Sequence, residues 1–65
     1  MPQFIVSVEF HQEHATGVTV EVMAEDAVDA QNRVDEYFAD DALSISEFTQ
    51  VRSATDADRG KYEVV

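Results

Sequence analysis

The sequence predicts a small α+β domain of ββαβ order, a three-stranded antiparallel sheet (order 2-1-3) with one helix on one face. Two runs that alternate with a period of two, followed by one apolar stripe at helical spacing, carry that prediction. Phe4, Val6, Val8 and Phe10 alternate with Ile5, Ser7 and Glu9, as expected of a strand with one buried face. His11 to Gly17 is mostly polar and contains a glycine, which suits a connection. Val18, Val20 and Val22 alternate with Thr19, Glu21 and Met23, and the two runs predict an antiparallel hairpin.

Asp26 stands where a helix N-cap would, with Asp29 three residues later in a box-like position. Ala27, Ala30, Val34, Tyr37 and Phe38 recur at helical spacing and define the face expected to pack on the sheet. Asp29 and Arg33 are four apart and can pair. Asp40 and Asp41 oppose the helix dipole and are assigned to the exit loop. A third strand over residues 46–52 fits if Ile45 is a loop anchor or if a bulge shifts its phase relative to Phe48. Ser53 to Gly60 reads as a loop, and Tyr62 and Val64 as a short fourth strand or a tail. A right-handed crossover sets the third strand beside the first. The sheet face bearing Ile5, Ser7, Glu9, Thr19, Glu21 and Met23 is then left open, with the free strand edge as a second docking surface.

Sixty-five residues make a single domain, 1–65, with its core in 4–52 and a loop and tail in 53–65. A chain this short buries only about 60% of its unfolded surface, and without cysteine it has no disulfide to brace it. The 45% hydrophobic content nonetheless favours a folded core over disorder. Neither a membrane span nor an apolar signal segment is visible, and a cytoplasmic location is expected.

Fourteen acidic residues against four basic ones give a formal charge of −10. That balance disfavours direct binding to nucleic acid or to an anionic membrane and favours basic protein surfaces; it also serves solubility. Catalysis is not expected. The chain lacks a cysteine nucleophile, a strained Gly-x-Ser-x-Gly elbow and a glycine-rich phosphate loop. One helix on one sheet also leaves little volume for a cleft that could separate carboxylate pKa values. His11, Glu13 and His14 form the one metal-like grouping, without a third strong ligand fixed by spacing, and no metal or cofactor is expected.

The informative residues are therefore charged and exposed. Glu25, Asp26, Asp29, Asp35, Glu36, Asp40 and Asp41 crowd the helix and its ends, at intervals close to those of phosphates along a strand. Arg52 ends the third strand, either as a hot spot for a partner's carboxylate or as an internal bridge to Glu9 or Glu21.

In element order, and in the segments Phe4-Ile5-Val6-Ser7-Val8-Glu9, Ala24-Glu25, Asp29-Ala30, Tyr37-Phe38 and Thr49-Gln50-Val51-Arg52, the chain resembles a known phage family. These are the small acidic proteins with which lytic podoviruses inhibit the RNA polymerase of their bacterial host. The resemblance spans roughly residues 4–52. It implies a ββαβ fold and a non-enzymatic inhibitor in the host cytoplasm. It further implies polymerase contacts through Glu9 and Arg52, with Glu25 and Asp29 in a negative strip near the DNA-loading channel. The family motif has two arginines where this chain has Gln50 and Arg52. Similar strand-to-helix junctions occur in other short phage and mobile-element proteins. Two other readings therefore stay open: a DNA mimic acting on a defence or repair nuclease, and a homodimeric assembly protein. Partner-binding residues expected on these readings are Glu9, Arg52, Glu21, Glu25, Asp29, Glu36 and Asp40.

Overall fold

The computed structural model describes residues 2–11 and 17–65. The alternating runs become β1 (Gln3–Phe10) and β2 (Gly17–Met23), paired antiparallel with Val6 opposite Val20. Helix α1 (Ala27–Ala39) follows, then β3 (Ile45–Ser53), a 3₁₀ turn at Asp56–Asp58, and a two-residue β4 (Glu63–Val64). The strand order is β3-β1-β2-β4. The expected 2-1-3 arrangement is the body of a four-stranded mixed sheet, extended by β4 running parallel to β2. No helix among the described residues is long and apolar enough to cross a membrane.

The helix begins where its sequence dictates. Asp26 is extended and its carboxylate accepts the Asp29 backbone N–H at 2.8 Å, which satisfies one of the first-turn donors. Asp29 reaches back, though to the backbone N–H of Glu25 rather than to that of Asp26 (3.0 Å), so the box is displaced by one residue. The exit is a Schellman-type turn. Leu43 N–H donates to Phe38 O and Ala42 N–H to Ala39 O, with Ala42 at φ 60°. This turn folds the partly buried Leu43 onto the core.

Phe4, Val6, Val8 and Phe10 of β1, Val20 and Val22 of β2, and Ala30, Val34 and Phe38 of α1 make the core. The two alanines at positions 24 and 30 are fully buried, which allows close approach of helix and sheet at that end. Phe38 fills the wider end, edge-on to Phe10 with ring centroids 5.0 Å apart. Ala27 and Tyr37, expected in the same stripe, are exposed. Tyr37 packs edge-on against Phe38 and lies at the rim of the core instead.

The third strand starts one residue earlier and ends one later than expected. Its register against β1 shifts twice, between Ser7 and Val8 and between Glu9 and Phe10. Each shift leaves one extra residue on β3, Thr49 and Ser46 respectively. Two bulges stretch the usual period of two, so Ile45, Phe48 and Val51, three apart, all pack against the same core. Ile45 is thus a strand residue, with the bulges setting its phase.

The face away from the helix is not fully open. Strand pairing sets Arg52, Ile5 and Glu21 in one row across β3, β1 and β2. Ile5 is completely buried there and Glu21 is 8% exposed, although α1 lies on the other side. The cover is the segment expected to be loop and tail. Ala54 N–H donates to Gln3 O, prolonging the β1–β3 ladder (2.8 Å), and Val65 N–H donates to Glu21 O, prolonging the β2–β4 ladder on the other side of the sheet (2.8 Å). Between these points the 3₁₀ turn crosses the sheet as a strap, so the rest of that face is the polar row Gln50–Ser7–Thr19, with Ser7 and Thr19 half-buried, the exposed acidic row Glu47–Glu9 and, at the other end, the exposed pair Gln3 and Met23.

Candidate functional site

Arg52 is the residue whose placement changes most. Its guanidinium forms a bidentate pair with Asp58, Nη1 to Oδ2 at 2.7 Å and Nη2 to Oδ1 at 2.8 Å. Neither Glu9 nor Glu21 is its bridge partner; the carboxylate comes from the strap. Asp58 also accepts the Thr55 backbone N–H at 2.8 Å and the Thr55 hydroxyl at 3.1 Å. Hydrogen bonds from Arg52 and from the Thr55 backbone hold its carboxyl well below the usual carboxylate range. Asp58 did not stand out in the sequence, yet Thr55 followed three residues later by an acidic residue is the local signature of such a turn.

The other expected residues fall into three places. Glu9 is exposed on the face away from the helix, directly opposite the equally exposed Glu47, a like-charge pair across the strands. Glu21 sits in the row with Ile5 and lines a shallow hollow of about 260 Å³ beside Gln3, Thr55 and Arg59. Glu25, Asp29, Glu36 and Asp40 belong to α1 and its approach. Asp29 accepts from the backbone of Glu25 and from Arg33 Nε (2.9 Å), and these bonds lower its pKa in that order.

The cations are largely committed to these internal pairs. Arg33 pairs with Asp29 at 2.9 Å, Arg52 with Asp58 at 2.7 Å, and Arg59 with Asp56 at 3.8 Å, which leaves Lys61 without an ion pair among the described residues. Glu9, Glu25, Asp35, Glu36, Asp40, Asp41 and Glu47 are all exposed, and none has a salt-bridge partner among those residues. The resulting field is negative on both the helix side and the open part of the sheet.

Beside Glu36 and Asp40 lies a feature that the sequence reading did not single out. A groove of about 390 Å³ runs between α1 and the β2–β4 edge, with Met23, Tyr37, Val64 and Val65 along it and Arg33, Glu36 and Asp40 at the helix side. Three of these apolar residues are well exposed: Met23 at 46%, Tyr37 at 38% and Val64 at 60%. Tyr37 looked like core by spacing alone. The paired valines at 64 and 65, after a polar stretch, were the available signal.

No grouping of three or more metal-ligating side chains occurs among the described residues. Of the His11, Glu13 and His14 grouping, Glu13 and His14 lie outside them. No protein-family model matches this chain, and comparison with curated proteins and with solved structures found no match.

Proposed function

We propose that this domain is a non-enzymatic inhibitor that binds a host nucleic-acid enzyme through its acidic surface. Bacterial RNA polymerase is the first target to test. The observation that carries this reading is the sequestration of cations. Arg33 and Arg52 are drawn into close internal pairs at 2.9 and 2.7 Å, while Glu25, Glu36 and Asp40 remain exposed along α1 and its ends. A surface of that kind attracts the basic grooves that nucleic-acid enzymes build for phosphates. The residue pattern over 4–52 that resembles podovirus polymerase inhibitors supplies the named target. Co-elution of the purified protein with bacterial RNA polymerase and loss of promoter-complex formation is the expected result. Absence of binding at micromolar concentration to polymerases from a panel of bacterial hosts rejects that target.

The Arg52–Asp58 pair favours a second version of the same chemistry. With its guanidinium engaged by Asp58, Arg52 is less able to serve a partner's carboxylate, and the weight shifts to charge density. A DNA mimic acting on a defence or repair nuclease needs only the carboxylates. Replacing Glu25, Asp29, Glu36 and Asp40 together with their amides should then abolish inhibition. Arg52→Lys, which keeps a cation beside Asp58 but loses the fork, should leave it intact. The reverse pattern identifies the polymerase-type contact through Arg52.

A further inference from the structure

We infer that the groove between α1 and β4 is the anchoring site for a partner segment in which lysine or arginine residues flank a large apolar side chain. This rests on the acidic-surface reading above and adds to it an apolar foothold. Met23, Tyr37, Val64 and Val65 converge on one groove from the end of β2, the side of α1 and the end of the chain. Scattered apolar residues on a surface need no explanation, but convergence in a concavity does. Its volume of about 390 Å³ is within the roughly 300–1,000 Å³ range of binding clefts.

Charge selects the occupant. Glu36 and Asp40 are four residues apart on the same side of α1, at the rim of the groove, with no ion pair among the described residues. The nearby Arg33 is held by Asp29. A basic residue on each side of a buried leucine or phenylalanine would meet these carboxylates as its neighbour enters the groove. Phosphate and anionic lipid are repelled by the same rim. A second copy would bring a like rim and another formal charge of −10 to the contact.

Two amidated peptides test this, Lys-Leu-Lys-Phe-Lys and Lys-Ser-Lys-Ser-Lys, titrated into the ¹⁵N-labelled full chain. The first should move the amide signals of Glu36, Tyr37, Asp40, Val64 and Val65 and bind at least tenfold more tightly than the second. Tyr37→Ser and Val64→Ser should each remove most of that preference. Both residues are exposed, so the fold should survive, and an unchanged amide spectrum elsewhere checks this. Equal binding of the two peptides, or shifts confined to Glu9 and Glu47, overturns the groove but leaves the acidic-surface reading standing. No binding of either peptide at millimolar concentration overturns both. A concentration-dependent dimer whose formation shifts the same amides in the absence of peptide overturns the inference in favour of self-association.

Discussion

Ile5→Ala tests the strap most directly, because its effect differs sharply between an open and a closed sheet face. Ile5 is completely buried on the side of the sheet away from α1. The substitution removes three carbons, worth about 2.4 kcal/mol at roughly 0.8 kcal/mol per buried carbon. A residual cavity brings the expected loss to about 3 kcal/mol, within the ~2–5 kcal/mol seen for such truncations. At roughly 0.05–0.15 kcal/mol per residue, a chain of this size has only about 3–10 kcal/mol in total. Ile5→Val, losing one carbon at about 1 kcal/mol, is therefore the safer companion. Urea unfolding followed by circular dichroism would read both. With a slope near 1 kcal/mol per molar, Ile5→Val should lower the midpoint by about 1 M. A loss below about 1 kcal/mol for Ile5→Ala would mean that the face is open and the strap does not cover it. The double variant with Asp58→Asn gives an independent check. If Asp58 fastens the strap, the two substitutions should be less than additive, and strict additivity would refute the coupling.

Three further outcomes are expected. Asp58 is held ionised below its ordinary value of 3.8, so in acid the unfolded chain binds a proton that the folded chain does not. Its contribution is complete above about pH 5 and is lost as pH falls toward the folded value; acid unfolding curves of Asp58→Asn should be flatter in that window than those of the parent. Ala42 adopts a left-handed conformation at φ 60° that costs an L-residue about 1–2 kcal/mol. Ala42→Gly should therefore raise stability by about 0.5–1 kcal/mol after the greater freedom of glycine in the unfolded chain is allowed for, measurable as a higher thermal midpoint. Added salt should stabilise the free domain by screening its carboxylates and weaken its complex with a basic partner. The same sodium chloride series, read by thermal melting and by binding, should thus give opposite signs.

The sequence made β1, β2 and α1 legible because each turns regularly spaced apolar residues toward the core between helix and sheet and so writes its period directly into the residue order. β3 was harder for a physical reason. Bulges at Ser46 and Thr49 space Ile45, Phe48 and Val51 by three, a pattern closer to a helix turn than to a strand. The strap was less legible still. It is held by backbone hydrogen bonds to Gln3 and Glu21 and by the Arg52–Asp58 pair, and none of these leaves a hydrophobic signature in Ser53 to Gly60. The acidic residues of α1 were plain in the sequence. The groove beside them was not, because it needs Met23 and Val64, distant in sequence, brought to the same side as Tyr37.

Charge placement bears on whether the acidity is more than a solubility device. Solubility alone asks for net charge and is indifferent to position. Here Glu36 and Asp40 border the exposed apolar groove, while the far side of α1 carries a single exposed carboxylate, Asp35, beside the uncharged Gln31. The arginine on the acidic side, Arg33, is neutralised locally by Asp29 rather than bridging to Glu36 or Asp40. An apolar concavity bordered by unpaired carboxylates is a poor arrangement for mere solubility, since it leaves Met23, Tyr37 and Val64 in water. It is a good one for a basic partner with an apolar anchor, because the charges steer the approach and the groove supplies the residence. Exchanging the positions of Glu36 and Gln31 keeps the net charge and separates the two explanations. If acidity only solubilises, binding is unchanged; if position matters, affinity for the apolar-basic peptide falls while solubility stays the same.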